Sequence, residues 1–214
     1  MRVEAKICAM IGDNPLVPKL ISWDDETCCL EIEYLENGNL KEYVRQNNDN
    51  ITLERRIQWS IQAAEAVGIL HKHSVIHCDL SPRNFLLDSE LNVRIADFGG
   101  ASLCGSEPSA IPVTRFRPPR YDFDATPVFQ DDLFSLGSLI YFIMTRFYPY
   151  EDLPSDKVES HFEVNEFPEI SSTTGGSIIR KCWEQEATSA QSISASLAAI
   201  KTETPTGTVA TDTS

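Results

Sequence analysis

The spacing of apolar residues changes character several times along the chain. Val3, Ile7 and Met10 share one side of a short helix from Arg2 to Met10, which Gly12-Asp13-Asn14-Pro15 brings to a stop. The runs Leu16 to Trp23 and Thr27 to Tyr34 predict two strands around the acidic turn Asp24-Asp25-Glu26. From Leu53 to His71 a three-or-four spacing of Leu53, Ile57, Ile61, Ala64, Val67 and Leu70 predicts a long helix with one buried stripe. Thr52 is its N-cap. Within residues 75–98 the short apolar runs VIHCDL, NFLLD and VRIADF predict tight strand–loop–strand ribbons. Gly99 to Pro127, punctuated by glycine and proline, predicts a long surface loop of the kind that often carries function. Helical spacing returns over Asp131–Thr145, Ser155–Phe162, Ser177–Trp183 and Ser192–Ile200. The last fourteen residues hold six threonines and almost nothing to bury, which predicts a disordered tail over 201–214.

Composition narrows the class. At 214 residues and 23.9 kDa, with 42% apolar and 23% charged residues, the chain has the size and make-up of one globular domain. Its net charge of −14 argues against a nucleic-acid binder or a partner of anionic membranes, and permits a preference for basic partners. No run is long enough to span a bilayer, and the N-terminus lacks the apolar core of a secretory signal. Six cysteines, at 8, 28, 29, 78, 104 and 182, follow neither metal nor disulfide-framework spacing. They read as free thiols of a reducing compartment, the cytoplasm or else the nucleus. The adjacent Cys28 and Cys29 read as core filler in a strand. Glu151 to Glu169 carries seven acidic residues and one lysine, a solvated face before it is a docking site.

Two clusters carry candidate chemistry: HCDLSPRN, His77 to Asn84, and ADFG, Ala96 to Gly99. Asp79, Asn84 and Asp97 are oxygen-bearing side chains at loop–strand junctions. Such a set suits a hard cation, for instance Mg²⁺ bridging to phosphates. Each taken alone is equally a turn former or a cap.

In this order and spacing the clusters resemble the eukaryotic protein kinases, and the resemblance runs from Glu4 to about Ala190. HCD resembles H-R-D, Asp79 to Asn84 reproduces D-x-x-x-x-N, and D-F-G is literal. FRPPR (Phe116 to Arg120) stands where Y-R-A-P-E closes the activation segment. DLFSLG (Asp132 to Gly137) resembles D-x-W-S-x-G, YPY (Tyr148 to Tyr150) the following P-[FY] turn, and KCW (Lys181 to Trp183) the late C-W element. Upstream, EYLENGNL (Glu33 to Leu40) resembles the hinge, and Glu4-Ala-Lys-Ile the E-x-x-[IL] of helix C.

The resemblance implies roles. Asp79 would orient the acceptor hydroxyl and take its proton, Arg83 would stabilise charge on the transferred group, and Asn84 and Asp97 would hold Mg²⁺ on ATP. Glu33 and Leu35 would pair with adenine through their backbone, with Ile32 at the gatekeeper position and Leu86 as the floor. Ile32, Leu35 and Leu86 are equally residues that any fold would bury. The implied fold is α+β and protein-kinase-like: a remnant of the small β lobe over 1–35, and a mainly helical large lobe over 36–200.

Departures from the pattern carry information too. Cys78 replaces the arginine that grips activation-loop phosphate, so phosphate on Ser102, Ser106, Ser109 or Thr114 would lack its usual partner. Ser81 replaces the lysine typical of Ser/Thr kinases while Arg83 matches the tyrosine-kinase loop, which leaves the acceptor class open. Arg120 and Ala190 stand where a buried Glu–Arg pair is usual, so both halves are missing together. Met1 falls inside helix C, and these residues contain no G-x-G-x-x-G and no strand lysine for Glu4. The expected function is therefore ATP-dependent phosphoryl transfer to protein hydroxyls, impaired in this chain. The alternative is an inactive pseudokinase that binds a partner kinase as scaffold or regulator.

Overall fold

The computed structural model describes residues 2–203. Helix α1 (Arg2–Ile11) is followed by a hairpin of β1 (Leu20–Asp24) and β2 (Cys29–Ile32), antiparallel with a register shift between Leu20 and Ser22. Asp24 builds the hairpin turn: its carboxylate accepts from the amides of Glu26 and Thr27 and from the Thr27 hydroxyl. The strands are shorter than their apolar runs because Leu16 to Lys19 is drawn elsewhere. The Leu16 carbonyl accepts from Ile95, and Val17 is buried.

Two expectations fail in this region. Helix α1 buries Ala5, Ile7 and Cys8, while Met10 points outward at 40% exposure. Cys29 is exposed and Cys28 half-buried, so the pair is no core filler; the hairpin has a solvent face, and they lie near its turn.

The core is helical. Helix α2 (Leu40–Asn47) starts at Asn39, whose side chain accepts from Glu42 N at 3.0 Å. Helix α3 (Leu53–Lys72) starts at Thr52, which accepts from Arg55 N at 3.2 Å. The expected stripe is buried apart from Leu53, and Trp59, Ala63, Ala66 and Gly68 are buried with it. The helix is covered from more than one side, by α4 (Phe129–Thr145), by α7 (Ala190–Glu203) and by the ribbons that follow it. Those ribbons are β4 (Phe85–Leu87) with β5 (Val93–Ile95), and β3 (Val75–Ile76) with β6 (Ser102–Leu103). The loop expected over Gly99–Pro127 thus contributes a strand, and Thr114–Phe116 adds a 3₁₀ turn with Phe116 buried.

Helix α4 is buried along most of its length. Helices α5 (Ser155–Glu163) and α6 (Gly176–Trp183) complete the lower half. Helix α7 runs through Glu203, three residues into the expected tail; residues 204–214 lie outside those described. Among the described residues no helix is long and apolar enough to cross a membrane.

Candidate active site

The loop between β3 and β4 carries Asp79, Arg83 and Asn84, and its shape is set from below by α4. Asp132, 1% exposed, accepts from the His77 amide at 2.8 Å and the Cys78 amide at 3.2 Å, and from His71 Nε2 at 3.0 Å. One buried carboxylate therefore ties together the loop, the end of α3 and the start of α4. His77 adds a second tie. Its Nε2 donates to the Ala96 carbonyl at 3.1 Å, its Nδ1 accepts from the Asp79 amide, and its ring meets Phe98 edge-on. The two motif clusters are thus joined through a single side chain.

Asn84 Nδ2 donates to the Asp79 carbonyl at 2.8 Å and to Asp79 Oδ2 at 3.2 Å. With the amide nitrogen spent inward, Asn84 Oδ1 has no partner among the described residues. A free amide oxygen suits a hard cation, as does Asp97, which is exposed with φ +65°. Burial raises the Asp79 pKa above its ordinary value; Asn84, His77 and Arg83 pull it back, and Asp97 adds to the rise. Glu4 of α1 sits in the same field. Its pKa is raised by burial and then by Asp97, with the Phe98 amide in partial offset. No lysine or arginine pairs with Glu4 among the described residues.

Ile32 ends β2 half-buried, and Leu86 lies half-buried in β4, bridged to Asn39. Glu33 takes its amide to the Lys19 carbonyl and its carboxylate to Arg94 at 2.8 Å. Neither the Glu33 carbonyl nor the Leu35 amide has a backbone partner among the described residues, although Leu35 is 6% exposed. A cavity of about 470 Å³ touches Glu33 and Leu35 together with Glu36, Glu65 and Asp88; it includes neither Leu86 nor Asp97. The structure therefore bonds Asn84 to Asp79, brings Asp97 into the field of Asp79, and splits the adenine-side residues: Glu33 and Leu35 line that cavity, Ile32 and Leu86 do not.

The departures also take physical form. The Cys78 thiol is buried and pushed up to about 12, by burial first and then by Asp132. The charges acting on that thiol are Asp132, Asp131 and Asp79, so a loop phosphate brought here would meet carboxylates. Ser102 is fully buried and its hydroxyl donates to the Ser106 carbonyl at 2.6 Å, so it is no accessible loop hydroxyl. Ala190 is fully buried while Arg120 turns outward to the Glu163 carbonyl at the end of α5. No unpaired charge is left inside where the ion pair is missing.

Sequence reading missed Asp132 as the organiser of the loop, because its partners lie more than fifty residues away. Its position in DLFSLG was the available signal.

A family model described as protein tyrosine and serine/threonine kinase matches residues 1–199, and the chain belongs to that family. It is similar to the RGS domain-containing serine/threonine-protein kinase A of Dictyostelium discoideum, 28% identical over 72% of this chain and 14% of that protein. It is similar also to the serine/threonine/tyrosine-protein kinase HT1 of Arabidopsis thaliana, 25% identical over 73% of this chain and 42% of that protein. A probable receptor-like protein kinase of the same plant is 33% identical over 57% of this chain and 28% of its own length. The chain spans less than half the length of these relatives. The fold described above is the protein-kinase-like one.

Proposed function

We propose that this chain carries the catalytic half of an ATP-dependent protein kinase that phosphorylates protein hydroxyls, and that these 214 residues alone transfer phosphate poorly. In this reading residues 1–35 belong to the small lobe and 36–200 form the large lobe. The observation that carries the proposal is the orientation of Asn84, whose amide nitrogen steadies Asp79 and whose side-chain oxygen is left free, while its backbone carbonyl accepts from Ala96, the neighbour of Asp97. Asn84 and Asp97 would hold Mg²⁺, and Mg²⁺–ATP supplies the phosphoryl group when bound. Asp79 orients the acceptor hydroxyl and takes its proton, a task suited to a carboxylate made more basic by burial. Arg83 keeps positive charge beside that carboxylate. The Glu33 carbonyl and Leu35 amide pair with adenine between Ile32 and Leu86.

Impairment follows from what Glu4 and the phosphates lack within these residues. Losing one preorganised donor costs ~10²–10³ in rate, and here a lysine and a glycine-rich loop are both absent from the sequence. The second reading is a pseudokinase that binds a partner kinase. Incubation with labelled ATP and Mg²⁺ tests the first: little label should pass to a protein substrate. Robust transfer that vanishes in Asp79→Ala would overturn the impairment. Calorimetry with ATP should show weak binding that needs Mg²⁺ and is lost in Asp97→Asn. Binding that is equal in all four conditions would place the nucleotide elsewhere and leave the scaffold reading.

A further inference from the structure

The chain is strongly acidic, yet one cavity beside the candidate catalytic loop is lined by cations alone among its charged groups. It encloses about 480 Å³ between α2, the loop bearing Asp79, the 111–117 segment and Tyr148. Lys41, Arg83, Arg115 and Arg117 line it, with no aspartate or glutamate. Two of the four are committed. Arg117 pairs with Glu159 at 2.8 Å, and Arg115 Nη2 donates to the carbonyls of Tyr150, Glu151 and Leu153. The other two make no ion pair among the described residues, although Arg83 stands in the field of Asp79 and of Tyr148. Lys41 has only the Tyr148 ring, 5.9 Å from its Nζ, and Arg83 makes no ion pair within 4 Å among the described residues.

A second, independent observation lies at the cavity wall. Ser81 lines it at 2% exposure, and its buried Oγ has no hydrogen-bond partner. The buried Nε of Arg115, another lining residue, is equally unpartnered. Buried polar atoms in folded proteins are nearly always satisfied, so an unpartnered hydroxyl and guanidinium nitrogen, both on residues that line one cavity, point to a hydrogen-bond acceptor supplied from it. The remaining wall is apolar and open, with Ile111 at 53% and Val113 at 42% exposure.

We infer that this cavity binds an anionic side chain of the acceptor peptide, a carboxylate or a phosphate, next to the hydroxyl presented to Asp79. The inference rests on the kinase reading above and names the substrate class: acidic or already phosphorylated sequences with an apolar residue alongside. The whole-molecule field opposes it. A net charge of −14 repels an acidic peptide at long range, so a preference for one has to arise from a local site.

Fluorescence anisotropy on the full chain tests it with four labelled decapeptides that share one tyrosine and one serine. They differ at a single neighbouring position: Glu, phosphoserine, Ala or Lys. The Glu and phosphoserine peptides should bind about tenfold tighter than the Ala peptide, the worth of one charge-assisted contact, and the ratio should shrink as salt rises. Comparing those two assigns the anion, phosphate if the phosphoserine peptide is the tighter. Lys41→Glu should erase or reverse the preference while leaving Mg²⁺-dependent ATP binding unchanged; Ser81→Ala should weaken it. Equal binding of all four peptides would overturn the inference, as would an acidic preference untouched by Lys41→Glu. An acidic preference lost in Lys41→Glu, in a chain that binds no ATP, would support the pocket and reject the kinase reading separately.

Discussion

Asp132 shows how much one side chain can organise. It accepts from two consecutive loop amides and from His71, and no other described group offers those amides a substitute. Asp132→Ala should cost about 3 kcal/mol, since it removes charge-assisted bonds and strands two buried N–H groups. Urea denaturation would show this as a fall in midpoint with unchanged slope. Asp132→Asn should recover part of the loss, because its amide oxygen can still accept. At this scale the motif letters were legible in the sequence and their mechanics were not. Arg56 makes the same point. It sits inside α3's buried face, donating to the Ile143 carbonyl and to Asn48, where helical periodicity alone predicts an outward charge.

Among elements, α4 and α6 meet along a close seam. A Cβ built on Gly137 would stand 2.5 Å from the Cys182 Cβ and 3.4 Å from Trp183 Cδ1, and the Trp183 indole donates to Ser138 Oγ at 2.9 Å. The glycine of DLFSLG is therefore required by close approach, as Ser135 is by its bond to the Phe116 carbonyl. Gly137→Ala should destabilise by roughly 2–4 kcal/mol, by overpacking a seam with no flexible neighbour to yield. A drop in melting temperature together with a red-shifted Trp183 emission would check it. Helices with strong periodicity, such as α3 and α4, were legible to within two residues of their ends. The two-residue strand β6 was not, nor was its pairing with β3: it joins residues almost thirty apart, beyond any local pattern.

For the molecule as a whole, half-buried acids raised by desolvation oppose acids lowered by hydrogen bonds. Asp79, Asp131 and Glu4 are raised, each by burial first. Their stabilising contribution is full below the unfolded pKa and lost as pH rises through the folded one. Asp24 and Glu169 are lowered, each by local hydrogen bonds first, and their contribution is lost only as pH falls through the folded value. Stability should therefore rise on acidification from neutral pH into the ordinary carboxylate range, roughly pH 4, before it falls. Relief of the net −14 acts in the same direction, so Asp79→Asn is the control. It should raise the melting temperature at neutral pH and flatten the rise on acidification. A wild-type curve that falls monotonically from pH 7 would refute the assignment.

The β1–β2 hairpin packs chiefly on α1, carries Ile21 at 64% exposure, and has a second edge on β2 with no partner strand among the described residues. Its amides are therefore protected by one ladder and one short helix, whereas those of α3 and α4 are sealed under several layers. The two regions should trade their protons with solvent on separate clocks. In deuterium labelling, Leu20 to Ile32 should exchange within seconds to minutes through openings that leave the helical core intact, and α3 and α4 only when the whole chain unfolds. Anything that lies along the free edge of β2 would slow the fast clock without touching the slow one. The ratio of the two rates thus reports occupancy of that edge without any assay of phosphate transfer.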